Sequence, residues 1–170
     1  MMFRSLAQRT LKSTRSFHSA PVLRMAEEAV AATHVTLSFN APHKKIFVGE
    51  AVELVNIPGV TGDYGVTPDH APTISELRPG LVQVFKKEGG EAELFFVPAG
   101  LAVTHPGSIT EVTAPEAVSL AELDVALAQK NYAASKSKME AAAEGSQEQA
   151  IAQIEVEVYE SICISLGVNV

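Results

Sequence analysis

Asp69 and His70 stand side by side with Ser75 five residues on, and these types could in principle supply the acid, base and nucleophile of a hydrolytic triad. The segment lacks the strand-turn-helix elbow that presents a nucleophilic serine, so acyl transfer has little to support it here. Gly59, Gly62 and Gly65 make a second tempting cluster, yet neither the Lys-Ser/Thr ending of a phosphate loop nor the spacing of a dinucleotide fingerprint follows. That cluster reads as a turn region, where glycine supplies positive φ. His34, His43, His70 and His105 are not paired at zinc-binding spacing. The lone Cys163 rules out a disulfide framework and any multi-cysteine metal site. The acids of the C-terminal third look like solvated helix faces. No catalytic residue, cofactor or metal is expected, and the chain reads as a protein that works by contact.

The elements that would position such contacts fall into two kinds. From about Thr33 to Ala114 the sequence alternates apolar and polar residues over short runs separated by Gly, Pro and Asn. Strands are expected at His34 to Phe39, Lys44 to Val48, Ala51 to Ile57, Leu81 to Lys87, Glu91 to Val97, Ala99 to Thr104 and Ser108 to Thr113. Their number and turn spacing fit a β-sandwich or small barrel. At Ser119 the character changes, because Ser119-Leu120-Ala121-Glu122 resembles a capping box and no Gly or Pro follows until Gly145. Eight alanines between Ser119 and Glu144 favour helix, and Leu120, Leu123 and Leu127 share helical spacing. Gly145 is expected to cap that helix, and Ser146-Gln147-Glu148-Gln149 to start a second. Ile154 to Val158 alternates like a strand, but Ile151, Ile154, Val158 and Ile162 also form a helical stripe, and the cap favours helix. Leu166-Gly167 marks its end. The fold class is mainly β, with an N-terminal sandwich followed by an antiparallel two-helix hairpin.

Charge is distributed unevenly. Residues 1–25 hold Arg4, Arg9, Lys12, Arg15 and Arg24 among many Ser and Thr, and the first acid is Glu27, which is the composition of a mitochondrial presequence. The expected division is therefore presequence 1–25, β domain 26–117 and hairpin 118–170. Without the presequence 8 Lys+Arg face 20 Asp+Glu, a net charge of −12. Such acidity argues against nucleic acid and anionic lipid as direct partners and favours a basic protein. The longest apolar run is about half the ~20 residues that a membrane-spanning helix needs.

The stretch from Val55-Asn56-Ile57-Pro58-Gly59 through Thr61-Gly62-Asp63-Tyr64-Gly65 to Pro68-Asp69-His70-Ala71-Pro72 resembles the signature segment of one family, and Leu77-Arg78-Pro79-Gly80 continues it. Phe96-Val97-Pro98-Ala99-Gly100 and Val112-Thr113-Ala114-Pro115-Glu116-Ala117 extend the likeness over about residues 33–166. The family is that of the mitochondrial ATP synthase delta subunits and their bacterial and chloroplast epsilon counterparts. The resemblance implies a β-sandwich with a helical hairpin at the foot of a rotor, on the matrix side of the mitochondrial inner membrane. Such a subunit is non-catalytic. It clamps the gamma subunit to the c-ring and binds the small mitochondrial epsilon subunit. It also implies that Gly62, Asp63 and Tyr64 face the c-ring loops, with Asp63 opposite basic residues, and that His70 lies close to gamma. Some bacterial members bind ATP through Ile/Leu-Asp-x-x-Arg-Ala, where this chain has Leu123-Asp124-Val125-Ala126-Leu127-Ala128. With the arginine replaced by Leu127, which is expected to pack on the second helix, no ATP binding is expected. A free β-sandwich binding module and a hydrolase using Asp69 and His70 remain as other readings.

Overall fold

The computed structural model describes residues 32–87 and 89–168; the expected presequence lies outside them. Ten strands come first: β1 (Val35–Ala41), β2 (Lys44–Val52), β3 (Leu54–Gly59), β4 (Gly62–Val66), β5 (Thr73–Leu77), β6 (Gly80–Phe85), β7 (Ala92–Val97), β8 (Gly100–His105), β9 (Ile109–Thr113) and β10 (Val118–Ser119). A 3-10 turn at Leu120–Glu122 then leads into helices α1 (Val125–Ala141) and α2 (Gln147–Ser165). In β1 the alternation is clean, with Val35, Leu37, Phe39 and Ala41 buried and the residues between them half-exposed, as one buried face requires.

The strands form a continuous hydrogen-bonded path, β10-β7-β6-β3-β5-β8-β9-β1-β2, with β4 on the flank of β3. The path turns over on itself where β3 and β5 share the single residue pair Gly59–Leu77. Backbone hydrogen bonds Val60 N to Glu76 O (2.9 Å) and Arg78 N to Pro58 O (3.0 Å) reinforce that crossing. The two halves then face one another as the layers of a sandwich. Phe95 of β7 meets Phe39 of β1 and Phe47 of β2 edge-on, each at 5.7 Å between ring centres, and both layers contribute to one core of Val, Leu, Ile and Phe. Each such buried side chain contributes about 1.5–3 kcal/mol. At the rim Lys86 reaches Glu93 (2.8 Å) and Glu50 (3.5 Å) and lies 5.1 Å from the Phe47 ring centre. Its ammonium is pushed above the ordinary lysine range, first by the hydrogen bond to Glu93.

Several expectations shift. The glycine-rich segment is a turn only at Val60-Thr61; Gly62–Val66 pairs with β3 as strand β4. β5 and β10 are also hidden in the sequence, being short and completed by distant partners. The first helix does not start at Ser119, whose side chain makes no cap bond. Asp124 is the cap, accepting from the N–H groups of Ala126 and Leu127 at 2.8 and 3.2 Å. Gly145 lies in the connection, with φ +74°, and α1 ends on Ala142 instead. The second helix is a helix. Ser146 Oγ accepts from Gln149 N–H (3.1 Å) while Gln149 Oε1 accepts from Gly145 N–H (2.8 Å). Val168 N–H to Cys163 O and Gly167 N–H to Ile164 O close it, with Gly167 at φ +74°, as a glycine-terminated Schellman end does.

The helices are antiparallel and meet along small side chains. Ala128 and Ser135 of α1 and Ala152, Val156 and Cys163 of α2 are buried, and burial pushes the Cys163 thiol up, away from reactivity. Ser135 Oγ (3.0 Å) and Lys138 Nζ (3.2 Å) both donate to Glu155 Oε2. The expected stripe is therefore not the seam: Ile151 is 51% and Ile154 62% exposed, and Leu127 is 55% exposed instead of packing on α2. The buried positions at the seam are held by side chains no larger than valine. The hairpin rests on the sandwich through Ser161 Oγ, which donates to Pro79 O at 2.8 Å.

Two outcomes follow from this architecture. A Cβ at Gly100 would come 2.5 Å from Thr113 O and 3.2 Å from Ala114 Cα, both backbone atoms, so Gly100→Ala is expected to cost about 1–3 kcal/mol in a urea melt. An unchanged midpoint would refute that close approach. Glu155 is held below the ordinary carboxylate range, first by Ser135 and then by Lys138. A depressed folded pKa means stability that is present above the unfolded value and lost as pH falls through the folded one. Glu155→Gln should flatten the acid side of the stability profile, measured from about pH 6 down to about pH 3.

Candidate functional site

The segment singled out by the sequence folds as the β3–β4 hairpin and the loop beyond it. A Cβ at Gly59 would sit 2.8 Å from Gly62 O and 3.2 Å from the Tyr64 ring, so the two-residue turn closes only around glycine there. Gly62 has φ +134° with open space beside it; conformation, not crowding, selects glycine at that position. Asp63 and Tyr64 then point to opposite faces of β4. Asp63 turns outward and takes a 2.7 Å ion pair from Arg78, with both groups largely exposed. Tyr64 packs against the core, its hydroxyl buried without a hydrogen-bond partner among the described residues and its ring centre 6.1 Å from that of His70.

His70 is held from two sides. Its N–H donates to Thr67 O at 3.2 Å, and its Nδ1 lies 2.8 Å from Ala71 O. A carbonyl only accepts, so the proton is on Nδ1 and Nε2 faces away from that bond. Asp69, at φ +59°, donates its N–H to Ser108 Oγ at 2.7 Å. Ser75 Oγ goes to Glu76 O at 3.3 Å. No hydrogen bond among the described residues links the side chains of Asp69, His70 and Ser75, so the residue types of a triad are present without its geometry. Of the other histidines, His43 lies 3.4 Å from Glu116 and His105 3.8 Å from Glu111 as exposed surface pairs, while His34 contacts Thr33 Oγ1 at 3.1 Å. Among the described residues no group of three or more His, Cys, Asp or Glu converges as metal ligands would.

The structure thus unites Tyr64 with His70 and sends Asp63 elsewhere. Arg78, the partner of Asp63, does not emerge from the sequence, although the two lie in adjoining signature segments. The pair flanks a groove of about 560 Å³ between the sandwich and α2, which Glu157, Glu160 and Ile164 line from the helix side. A second surface likewise emerges only in three dimensions. On the outer face of β5, β8 and β9, Ile74 pairs across from Val103, and Leu101 and Ile109 stand on the same side. Ile74 is 74% exposed. Glu76, His105 and Glu111 share that side with them, so the face is a mixture of aliphatic and charged residues. The alternation that would disclose it is blurred in the sequence, because both faces of these strands carry apolar residues.

A family model described as the ATP synthase delta/epsilon chain, beta-sandwich domain, matches residues 34–119. The mitochondrial ATP synthase subunit delta of Neurospora crassa is 34% identical over 157 residues, 92% of this chain and 94% of the relative. That of Eremothecium gossypii is 36% identical, covering 97% and 99%. Among solved structures, a chain of the Euglena gracilis mitochondrial ATP synthase, in a structure described as OSCP/F1/c-ring, superposes with a TM-score of 0.74 at 22% identity. It covers 92% of this chain and 91% of the other, a likeness of fold. On the family match and on relatives similar over nearly their whole length, the chain belongs to the ATP synthase delta/epsilon family, alongside its mitochondrial delta subunits.

Proposed function

We propose that the chain is a non-catalytic central-stalk subunit of the mitochondrial F-type ATP synthase, coupling the gamma subunit to the c-ring so that proton-driven rotation reaches the catalytic head. The observation that carries this reading is the end-to-end similarity to mitochondrial delta subunits. The geometry supports it. Torque transfer needs a body that does not deform, and a two-layer core packed at protein density is stiff. The exposed start of β4, Gly62 and Asp63, with Tyr64 behind them packed against the core, is the candidate c-ring contact. His70 and the mixed aliphatic and charged face that begins with Ile74, four residues beyond it in sequence, are the candidate seat for gamma. Asp63 meets any basic partner with Arg78 already bound, so it contributes about 0–1 kcal/mol as an exposed pair and serves to orient rather than to hold. The small mitochondrial epsilon subunit is the third expected partner. The site of action is the matrix side of the inner membrane, reached only through the complex.

Nucleotide has no place in this reading. Asp124 of the departed ATP motif is spent on capping α1, Leu127 replaces the guanidinium, and no Lys or Arg occurs in residues 146–170. Calorimetric titration of the mature chain with ATP should give no binding heat, and saturation at millimolar concentrations or below would overturn this. The central test is photo-crosslinking from Asp63 and His70 in the tagged chain within mitochondria, followed by purification and mass spectrometry. Adducts to the c-ring from Asp63 and to gamma from His70 are expected. Intact ATP synthase left in the unbound fraction while the chain is recovered alone would reject the rotor assignment.

A further inference from the structure

The chain after residue 25 is acidic as a whole, yet one corner of the sandwich is basic. His43, Lys44 and Lys45 follow one another where β1 turns into β2. Arg78, Lys86 and Lys138 are each bound to a carboxylate, whereas Lys44 and Lys45 are exposed and make no ion pair among the described residues. Glu116 lies 3.4 Å from His43, and Glu111 of β9, across β1 from β2, lies 3.8 Å from His105. Beside the three cationic positions runs a groove of about 360 Å³, whose lining also includes Ser38, Asn40 and Val48 and contains no carboxylate. Ser38 and Asn40 alternate with the buried Leu37, Phe39 and Ala41, so they stand on the outer face of the sheet. Lys45 pairs across from Asn40 on that face, and Val48, 66% exposed, adds an aliphatic rim. β2 is an edge strand. Its lysines, and the bulge that Gly49 makes at φ +63°, discourage a further strand from pairing there, so a partner meets the outer face and not the edge.

We propose that this corner docks an acidic segment of a partner protein, a loop or chain end with two or more Asp or Glu close in sequence. Its carboxylates meet Lys44 and Lys45, the Asn40 amide and the Ser38 hydroxyl donate to its remaining acceptors, and an aliphatic group covers Val48. Opposite charge selects the partner and its orientation, while the net acidity of the rest of the chain deters such a segment from landing elsewhere. A second copy of this chain is the poorer occupant, because its acidic α2 would dock head to tail and leave one corner unfilled in every pair. An anionic membrane is poorer still, since its plane of negative charge faces the whole chain and not the corner alone. The corner belongs to the same sheet as the seat proposed for gamma, and the inference does not rest on that assignment.

The test treats the intact mitochondrial complex with a carbodiimide, which condenses a lysine amine with a carboxylate in contact with it and expels water. Amide links are expected from Lys44 or Lys45 to a partner segment that carries a second acid nearby in sequence. The double variant Lys44→Gln, Lys45→Gln should dissociate from the complex about tenfold faster at low ionic strength, and the difference should shrink at about 0.5 M salt. Lys130→Gln with Lys136→Gln, the same change of charge on α1, should leave the rate unaltered, and an unchanged urea midpoint shows that both variants fold. No link from Lys44 or Lys45 to another protein, a link to a second copy, shielding of these lysines by anionic vesicles in place of protein, or equal dissociation of the variant and the parent overturns the proposal. Photo-adducts from Asp63 and His70 to the rotor without any link from Lys44 or Lys45 would sink this inference and leave the rotor reading standing. Links to an acidic segment of a protein outside the ATP synthase would do the opposite.

Discussion

The crossing at Pro58-Gly59 is the constraint on which the rest of the molecule depends. There β3 leaves β6 and pairs with β5, and there is no spare volume: a Cβ at Gly59 would strike Gly62 O, and one at Gly80 would come 2.8 Å from the Pro58 side chain. One junction therefore joins the two layers, closes the β3–β4 turn and fixes the Leu77-Arg78-Pro79-Gly80 segment against it. From that segment Arg78 reaches Asp63 and Pro79 O receives Ser161 of α2. The candidate contact turn and the anchor of the hairpin are thus located by the same few glycine and proline residues.

The hydrogen bonds and ion pairs around this junction are individually weak. An exposed pair such as Asp63–Arg78 contributes about 0–1 kcal/mol and a single neutral hydrogen bond about 0.5–1.5 kcal/mol. Burial in the sandwich core stabilises the molecule far more, so the polar contacts select geometry within a fold that apolar packing holds. The hairpin differs. Its seam is alanine, serine, cysteine and a single valine, Val156, with less apolar area to bury, and Glu155 with its two donors supplies the specificity that side-chain shape supplies in the sandwich.

Much of this is legible in the sequence, and for definable reasons. Strands with one buried face announce themselves by alternation, as β1 and β6 do. The start of α2 at Ser146 and its end at Gly167 are written in cap chemistry that needs no tertiary partner. The start of the first helix is misplaced at Ser119 because Ser119 and Asp124 both satisfy a cap pattern, and only the pairing of β10 with β7 decides between them. β4 and β5 stay hidden since glycine-rich and mixed segments become strands only when a neighbour completes them. For the candidate site, Gly62, Asp63, Tyr64 and His70 are found through a resemblance, but their division between two faces is not. Period two assigns Asp63 and Tyr64 to opposite sides only once Gly62–Val66 is known to be a strand. The Ile151 and Ile154 stripe is visible as a pattern yet points to the wrong side, because periodicity shows that a face is apolar and not what it meets.

Ser161 on Pro79, with α2 lying along β6, is a slender attachment beside the continuous ladder of the sandwich. Viewed as a mechanical linkage, the molecule has a stiff block and a lightly pinned arm. Shear applied across the block is resisted by the ladders of many strand pairs, whereas the pin consists, among the described residues, of one hydrogen bond and a narrow strip of packing. A rotary load must therefore travel through the block, and the arm is spared it.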